Sequence, residues 1–381
     1  MIIFFIAPRY HTNQVHVVKA MQEDGHDVYF HVTQKGPTED YTSVVPIVFK
    51  QSKVSKAICK LFGEGGHTTP RLCPSIIRYY KEIKNLSPDI VIIRNPYRWF
   101  SKLAAFYSLM LNVKIVFYTQ EPLHRKIKKR TKLKKMFYIE MFNAAWMTPI
   151  IGDSKRQNKS VQGMFYVPLP VHVEQPHKLT RPRDPRETKI LCIGKYHQNR
   201  KKLKLFIDSL YLLKDDHNFE ATIIGECVTD EQKKKYDLLN KYIEDKNLKS
   251  QIRLLKNIPY AEMVKQYKSH DLFVLPAINE PYAISVCEAL GFGLPVICTD
   301  TCGARFHITN GVNGYIIKSN SLSDLTITIS SILTNNKLLL SLSENAMEYA
   351  QNNLSRSVFR EHFYNMLWEK FKTFPCTCYY K

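Results

Sequence analysis

Short apolar runs, rich in β-branched and aromatic residues, recur along the chain, and most are followed by a stretch with helical spacing. The chain opens on MIIFFIAP (1–8), continues with a helix over roughly 14–24 closed by Gly25-His26, and then reads DVYFHV. Later come PDIVIIRN (88–95), a helix near 98–111, VKIVFYT (113–119), AWMTPIIG and FYVPL (165–169). A strand with one wet face alternates apolar and polar residues, whereas a strand apolar at nearly every position is buried on both faces. Strands of the second kind, separated by helices, specify a parallel sheet with helices packed on either side.

The pattern then stops and starts again. Residues 172–188, HVEQPHKLTRPRDPRET, hold three prolines and mixed charge without periodicity, so 173–188 reads as a linker. Beyond it come the strand TKILCIGK (188–195), the helix KLKLFIDSLYLL, and the strands EATIIGE (220–226) and IRLLKN (252–257). The helix AEMVKQYKS and the strands DLFVLPA (271–277), LPVICT (294–299) and GYIIKS (314–319) complete the second set, and 343–373 is mostly helical. The expected organisation is an N-terminal doubly wound domain over 1–172 and a C-terminal one over 189–350, with a closing helix over 351–373. At 381 residues the chain is long enough for two cores. Ligands of such sheets bind outside the carboxyl ends of the strands.

A hydrophobic content of 44% with 12% aromatics excludes global disorder. No apolar run reaches the ~18 residues of a membrane span. MIIFFIAPRYHTNQ has no charged leading region or small-residue cleavage site, so it reads as a first strand and not a signal peptide. The nine cysteines are scattered singly apart from Cys376-x-Cys378, and Cys192, Cys227, Cys287 and Cys298 sit in or at the end of apolar runs. Reduced core thiols in a cytosolic protein are expected, with no zinc spacing.

One stretch concentrates the chemistry. Residues 279–300 read NEPYAISVCEALGFGLPVICTD, with Glu280 and Glu288 eight positions apart around an apolar run. A carboxylate in an apolar segment loses hydration and needs a partner. If Pro281 opens a helix, eight positions at ~1.5 Å each make about 12 Å, the reach of a ribose, two phosphates and an attached group. The helix start, at Ile284 and Ser285, offers amides and a partial positive charge to a diphosphate. Glu288 suits a ribose diol, and Glu280 would lie beside whatever the distal phosphate carries.

These residues resemble the E-x7-E signature of retaining glycosyltransferases of the GT-B fold, family-4 type. The likeness runs from Asp271-Leu272-Phe273-Val274-Leu275-Pro276 through Asn279-Glu280 to Glu288, Gly293-Leu294-Pro295-Val296-Ile297, Asp300, Gly303 and Asn310-Gly311-Val312-Asn313-Gly314-Tyr315. Upstream, Gly194-Lys195-Tyr196-His197-Gln198-Asn199-Arg200-Lys201 is similar to the family's Gly-Arg turn ending in Arg-Lys, with Lys195 in place of the usual arginine. The resemblance implies two Rossmann-like domains facing across a cleft and a last helix that packs back on the first domain. It also implies a nucleotide-sugar donor held by Lys195 and Lys201 at the diphosphate, Glu288 at the ribose and Glu280 at the transferred sugar. Arg200 joins the donor candidates. No cofactor and no metal are expected, since fixed cations stabilise a departing diphosphate and no Asp-x-Asp is present. Ala283 stands where the family usually has glycine. The first loop, 9–14, lacks the family's Gly-Gly, and His11 there is the candidate for contact with donor or acceptor.

The formal charge of +21 is uneven. Residues 1–188 hold 30 Lys+Arg against 14 Asp+Glu, a net +16, which leaves 25 against 20, or +5, for the rest. The densest block is 124–137, HRKIKKRTKLKKMF, with eight basic residues and no acid. Cations interleaved with Leu133, Met136 and Phe137 suit an anionic membrane surface. Nucleic acid is the rival partner, though no base-reading pattern is present. The expectation is therefore a cytoplasmic enzyme, peripheral to the inner face of a membrane, that glycosylates a glycan or lipid-linked glycan in surface polysaccharide or glycoconjugate biosynthesis. A soluble GT-B enzyme of another activity (glucan synthase or epimerase) and a non-enzymatic nucleic-acid-binding protein are the alternatives.

Overall fold

A computed structural model describes residues 1–36, 39–64, 69–124, 128–152, 161–174 and 187–372. The chain divides into two compact units, Met1–Pro170 with Arg356–Lys381, and Val171–Ser355. The divisions fall at 170/171 and 355/356, against 172 and 350 expected from the sequence. Of the expected linker, residues 175–186 lie outside the described residues. Glu174, just before them, is tied into the second unit, to which it belongs: its N–H donates to the Gly291 carbonyl at 2.9 Å and its carboxylate pairs with Lys268 at 2.7 Å.

The first unit is built on seven parallel strands, β1 (Ile2–Ile6), β2 (Asp27–Val32), β3 (Ile47–Val48), β4 (Ile90–Arg94), β5 (Lys114–Tyr118), β6 (Ala145–Thr148) and β7 (Met164–Tyr166). Their spatial order is β3-β2-β1-β4-β5-β6-β7. Ile90, Val91, Ile92 and Ile93 of the central strand are all buried, as strands covered on both faces require. Tyr79, Phe100, Phe117 and Trp146 fill the core between sheet and helices. The last helix, Arg356–Phe371, packs in this unit against the helix Val15–Glu23. Arg360 donates to the Ala20 carbonyl and pairs with Asp24 at 2.9 Å, and the Tyr364 hydroxyl donates to Asp24 at 2.7 Å. The guanidinium thus meets the carbonyl end of the helix, where a cation is favoured.

The second unit repeats the plan with β8 (Thr188–Ile193), β9 (Phe219–Gly225), β10 (Ile252–Lys256), β11 (Leu272–Leu275), β12 (Val296–Thr299) and β13 (Gly314–Ile317). All pairs are parallel and the order is β10-β9-β8-β11-β12-β13. Cys192, Cys227, Cys287 and Cys298 are free and buried. Cys376 and Cys378 lie outside the described residues.

Several elements escaped the sequence reading: the edge strand β3, the helices Lys53–Leu61, Ile76–Leu86 and Leu322–Leu333, and the helix Asp230–Asp245. The last carries a complete capping box, Thr229 with Gln232, a local signal that was there to be read. The helical stretch expected over 343–373 is two helices, Asn336–Asn353 and Arg356–Phe371. Among the described residues no helix is long and apolar enough to cross a membrane.

Candidate functional site

In the second sheet the chain order reverses between β8 and β11, which lie side by side. Loops leaving two such strands diverge and open a crevice at their carboxyl ends. The loop after β8 carries Lys195, Arg200 and Lys201, and the loop after β11 carries Glu280. The two loops are stitched by the Ile278 N–H, which donates to the Arg200 carbonyl at 2.8 Å. Lys201 Nζ lies 2.6 Å from Glu280 Oε2, and Arg200 reaches the same oxygen. The Lys201 and Glu280 side chains are only 11% and 10% exposed, so each charge depends on the other for solvation. Gly194 lets the Lys201 stem lie close, since a Cβ there would stand 3.2 Å from that of Lys201. Lys195, by contrast, is 39% exposed and pairs with Glu226 after β9.

The loop before the helix Ile284–Gly291 is held from behind by Gly303. Its N–H donates to the Glu280 carbonyl at 2.8 Å, and a Cβ at this position would sit 1.9 Å from the Pro281 carbonyl oxygen. Only glycine permits that approach. Pro281 is not in the first helical turn: the helix starts at Ile284 and is entered through Ala283, at φ +67°. Glu280 therefore precedes the helix, and the 12 Å expected from helical rise does not describe the two glutamates. Ile284 and Ser285 occupy the first turn, half-buried, where no side chain caps the amides.

Glu288 is buried one turn on. The Tyr267 hydroxyl donates to its Oε2 at 2.7 Å, and the Tyr267 ring stacks on Phe292 at 5.2 Å. Burial pushes the Glu288 carboxyl above its ordinary range, while the Tyr267 and Tyr260 hydroxyls pull the other way. Neither Tyr267 nor Glu226 was singled out from the sequence. Tyr267 stands 21 residues from its partner, on the helix Tyr260–Ser269, and only the register of that helix could have hinted at it.

His11 belongs to the first unit and so is not brought together with these residues within one body. It follows β1, half-exposed, with Nδ1 3.7 Å from Glu39, whose carboxylate also takes Arg9 at 3.0 Å and the Thr12 N–H at 2.6 Å. Of the basic run, residues 125–127 lie outside the described residues. Lys129–Met141 is a helix in which Lys135 is buried, paired with Glu121 at 2.6 Å and set over the Trp146 ring. That lysine is lost to any outward-facing basic surface. Leu133, Phe137 and Met141 instead form an exposed apolar stripe at four-residue spacing, flanked by exposed Lys129, Arg130, Lys132 and Lys134. Among the described residues no cluster of His, Cys, Asp or Glu is placed to hold a metal ion.

Residues 177–349, the greater part of the second unit, match the family Glycosyl transferases group 1. Over the whole chain the fold is GT-B. A glycosyltransferase from Rickettsia africae superposes with a TM-score of 0.71 over 98% of this chain and 99% of its own, at 16% identity. Anabaena HepE, solved with UDP and glucose, gives 0.72 over 97% and 100%, at 13% identity. Among curated proteins, the Campylobacter jejuni N,N'-diacetylbacillosaminyl-diphospho-undecaprenol alpha-1,3-N-acetylgalactosaminyltransferase is 33% identical over 90 residues, 24% of each chain. The Caenorhabditis elegans GDP-Man:Man(3)GlcNAc(2)-PP-Dol alpha-1,2-mannosyltransferase is 24% identical over 194 residues, 49% of this chain and 40% of that one. The chain thus spans under half the length of these curated relatives.

Proposed function

We propose that this chain is a retaining, metal-independent glycosyltransferase of the hexosyltransferase type, moving a sugar from a nucleotide-sugar to a glycan acceptor. The observation that carries the reading is the buried meeting of Lys201 and Glu280 at the switch point, beside an uncapped helix start, inside the segment matching Glycosyl transferases group 1. Lys201 and Lys195 neutralise the donor diphosphate, helped by the amides near Ile284 and Ser285, with Arg200 alongside. Glu288 accepts hydrogen bonds from the ribose, and Glu280 from the transferred sugar's hydroxyls. The bond from the anomeric carbon to the β-phosphate oxygen breaks as the acceptor oxygen bonds to the same face of that carbon. The acceptor's proton passes to the leaving phosphate oxygen, so the leaving group itself serves as base. Fixed cations stabilise the charge that grows there.

The acceptor is read as lipid-linked, in surface polysaccharide or glycoconjugate assembly. The names of the Campylobacter and Caenorhabditis relatives both carry a lipid diphosphate, which supports this reading. The stripe Leu133, Phe137 and Met141 amid exposed cations supports docking on the anionic inner face of a membrane.

A thermal-shift panel of UDP-, GDP-, ADP- and dTDP-sugars tests the donor assignment. One donor raises the Tm of the wild type and fails to do so for Lys201→Ala and Glu288→Ala. A shift unchanged in both variants contradicts it.

A further inference from the structure

The first sheet has its own switch point, between β1 and β4, and the cations Arg9, Arg94 and Arg98 gather at its carboxyl edge. Arg94 is the last residue of β4, and its Nη1 is buried with no hydrogen-bond partner among the described residues. The titratable groups that face it are Arg9, Glu39, Arg98 and Tyr118. Glu39 is already engaged by Arg9 at 3.0 Å and by the Thr12 N–H and hydroxyl at 2.6 and 2.5 Å. Tyr118 offers Arg94 a ring face at 5.8 Å, not a counter-charge. Four residues on, Arg98 is the entry residue of the helix Trp99–Met110, which has no side-chain cap and no acid in its first turn. Burial holds the Arg94 and Arg98 guanidinium groups below their ordinary range, and Arg94 depresses Arg98 further.

A guanidinium nitrogen buried without a hydrogen-bond partner is costly, and a ligand oxygen supplies the missing acceptor. Guanidinium forks bind phosphate oxygens in pairs, and a helix start adds amides and a positive dipole end. We propose that Arg94, Arg98 and the start of the helix Trp99–Met110 form an anion site for a phosphate or diphosphate carried by the acceptor. This deepens the transferase reading and rests on it for the word acceptor, but the site itself does not.

The test uses the full chain in a Lys201→Ala background, so that the donor site contributes little, with inorganic pyrophosphate and geranyl diphosphate as probes. Both probes are used at one concentration, about 100 times the pyrophosphate Kd, where pyrophosphate raises Tm by about 2–4 °C. The gain disappears in Arg94→Met, whose ligand-free Tm is at or above that of its parent because a buried nitrogen without a partner has gone. Should Arg94→Met fail to fold, Arg98→Gln serves, with at least a tenfold loss of probe affinity expected. A larger gain from geranyl diphosphate assigns a lipid-linked acceptor, and equal gains a water-soluble phosphorylated one. A gain that persists in Arg94→Met or Arg98→Gln, or no gain from either probe, overturns the proposal. Nucleotide-sugars that fail to bind the wild-type chain, which keeps Lys201, while these gains persist would remove the transferase reading and leave the anion site standing.

Discussion

Lys201 Nζ and Glu280 Oε2 lie 2.6 Å apart although 79 residues separate them in sequence. The parallel sheet makes this contact, because β8 and β11 are neighbours and their loops leave from the same edge. Removing one partner leaves a poorly solvated charge on the other. Lys201→Ala leaves Glu280 only the more exposed Arg200, so a loss of about 1–3 kcal/mol in unfolding free energy is expected. Lys201→Met combined with Glu280→Gln loses less than the sum of the two single changes, which a double-mutant cycle in urea measures.

Ala283 sits at φ +67°, a conformation that costs a residue with a Cβ about 1–2 kcal/mol. Ala283→Gly relieves that strain and returns about 0.4–1 kcal/mol of it through the unfolded chain. A net gain of about 0.5–1 kcal/mol in chemical denaturation follows, with donor affinity held within about threefold.

Gly303→Ala places a Cβ 1.9 Å from the Pro281 carbonyl oxygen, so the loop bearing Glu280 must move. A stability loss of about 2–4 kcal/mol is expected by denaturation. Donor affinity falls with it, since Glu280 and Lys201 lose their register.

Glu288 gives a pH signature. Its carboxyl is raised in the folded state, so folding takes up a proton that the unfolded chain has released. That contribution is present below the ordinary carboxylate value of 4.5 and is lost as pH rises through the raised folded one. Glu288→Gln flattens this part of the stability profile and relieves the cost of a buried charge at neutral pH. It also weakens nucleotide binding about tenfold, by ~1.4 kcal/mol, because the amide accepts fewer hydrogen bonds than the carboxylate. Thermal melts from pH 4 to 8 with and without donor measure both effects.

Much of this was legible because a doubly wound sheet writes itself into the sequence: strands buried on both faces leave long apolar runs. DVYFHV reads to the residue as β2, and the strands expected over 188–195 and 271–277 each overrun the carboxyl ends of β8 and β11 by two residues. Two-residue β3 is too short to leave a pattern. The helix start at Ile284 and Ser285 was legible, but Pro281 is not in the first turn its local signal suggests, because Gly303 fixes the loop from across the sheet edge. The burial of Lys135 beneath an otherwise exposed basic helix and the Tyr267 partner of Glu288 are tertiary facts with no local trace. The orphaned Arg94 Nη1 lacks a trace for the same reason, since an unmet hydrogen bond is visible only once its neighbours are placed.

The central claim is that a nucleotide-sugar lies across the carboxyl ends of β8 and β11, its diphosphate on Lys201 and its sugar on Glu280. A crystal structure of the chain soaked with the donor selected by the thermal-shift panel measures this directly. The account predicts phosphate oxygens within about 3 Å of Lys201 Nζ and sugar hydroxyls on the Glu280 carboxylate. A donor seated elsewhere, with the Lys201–Glu280 pair untouched, contradicts it.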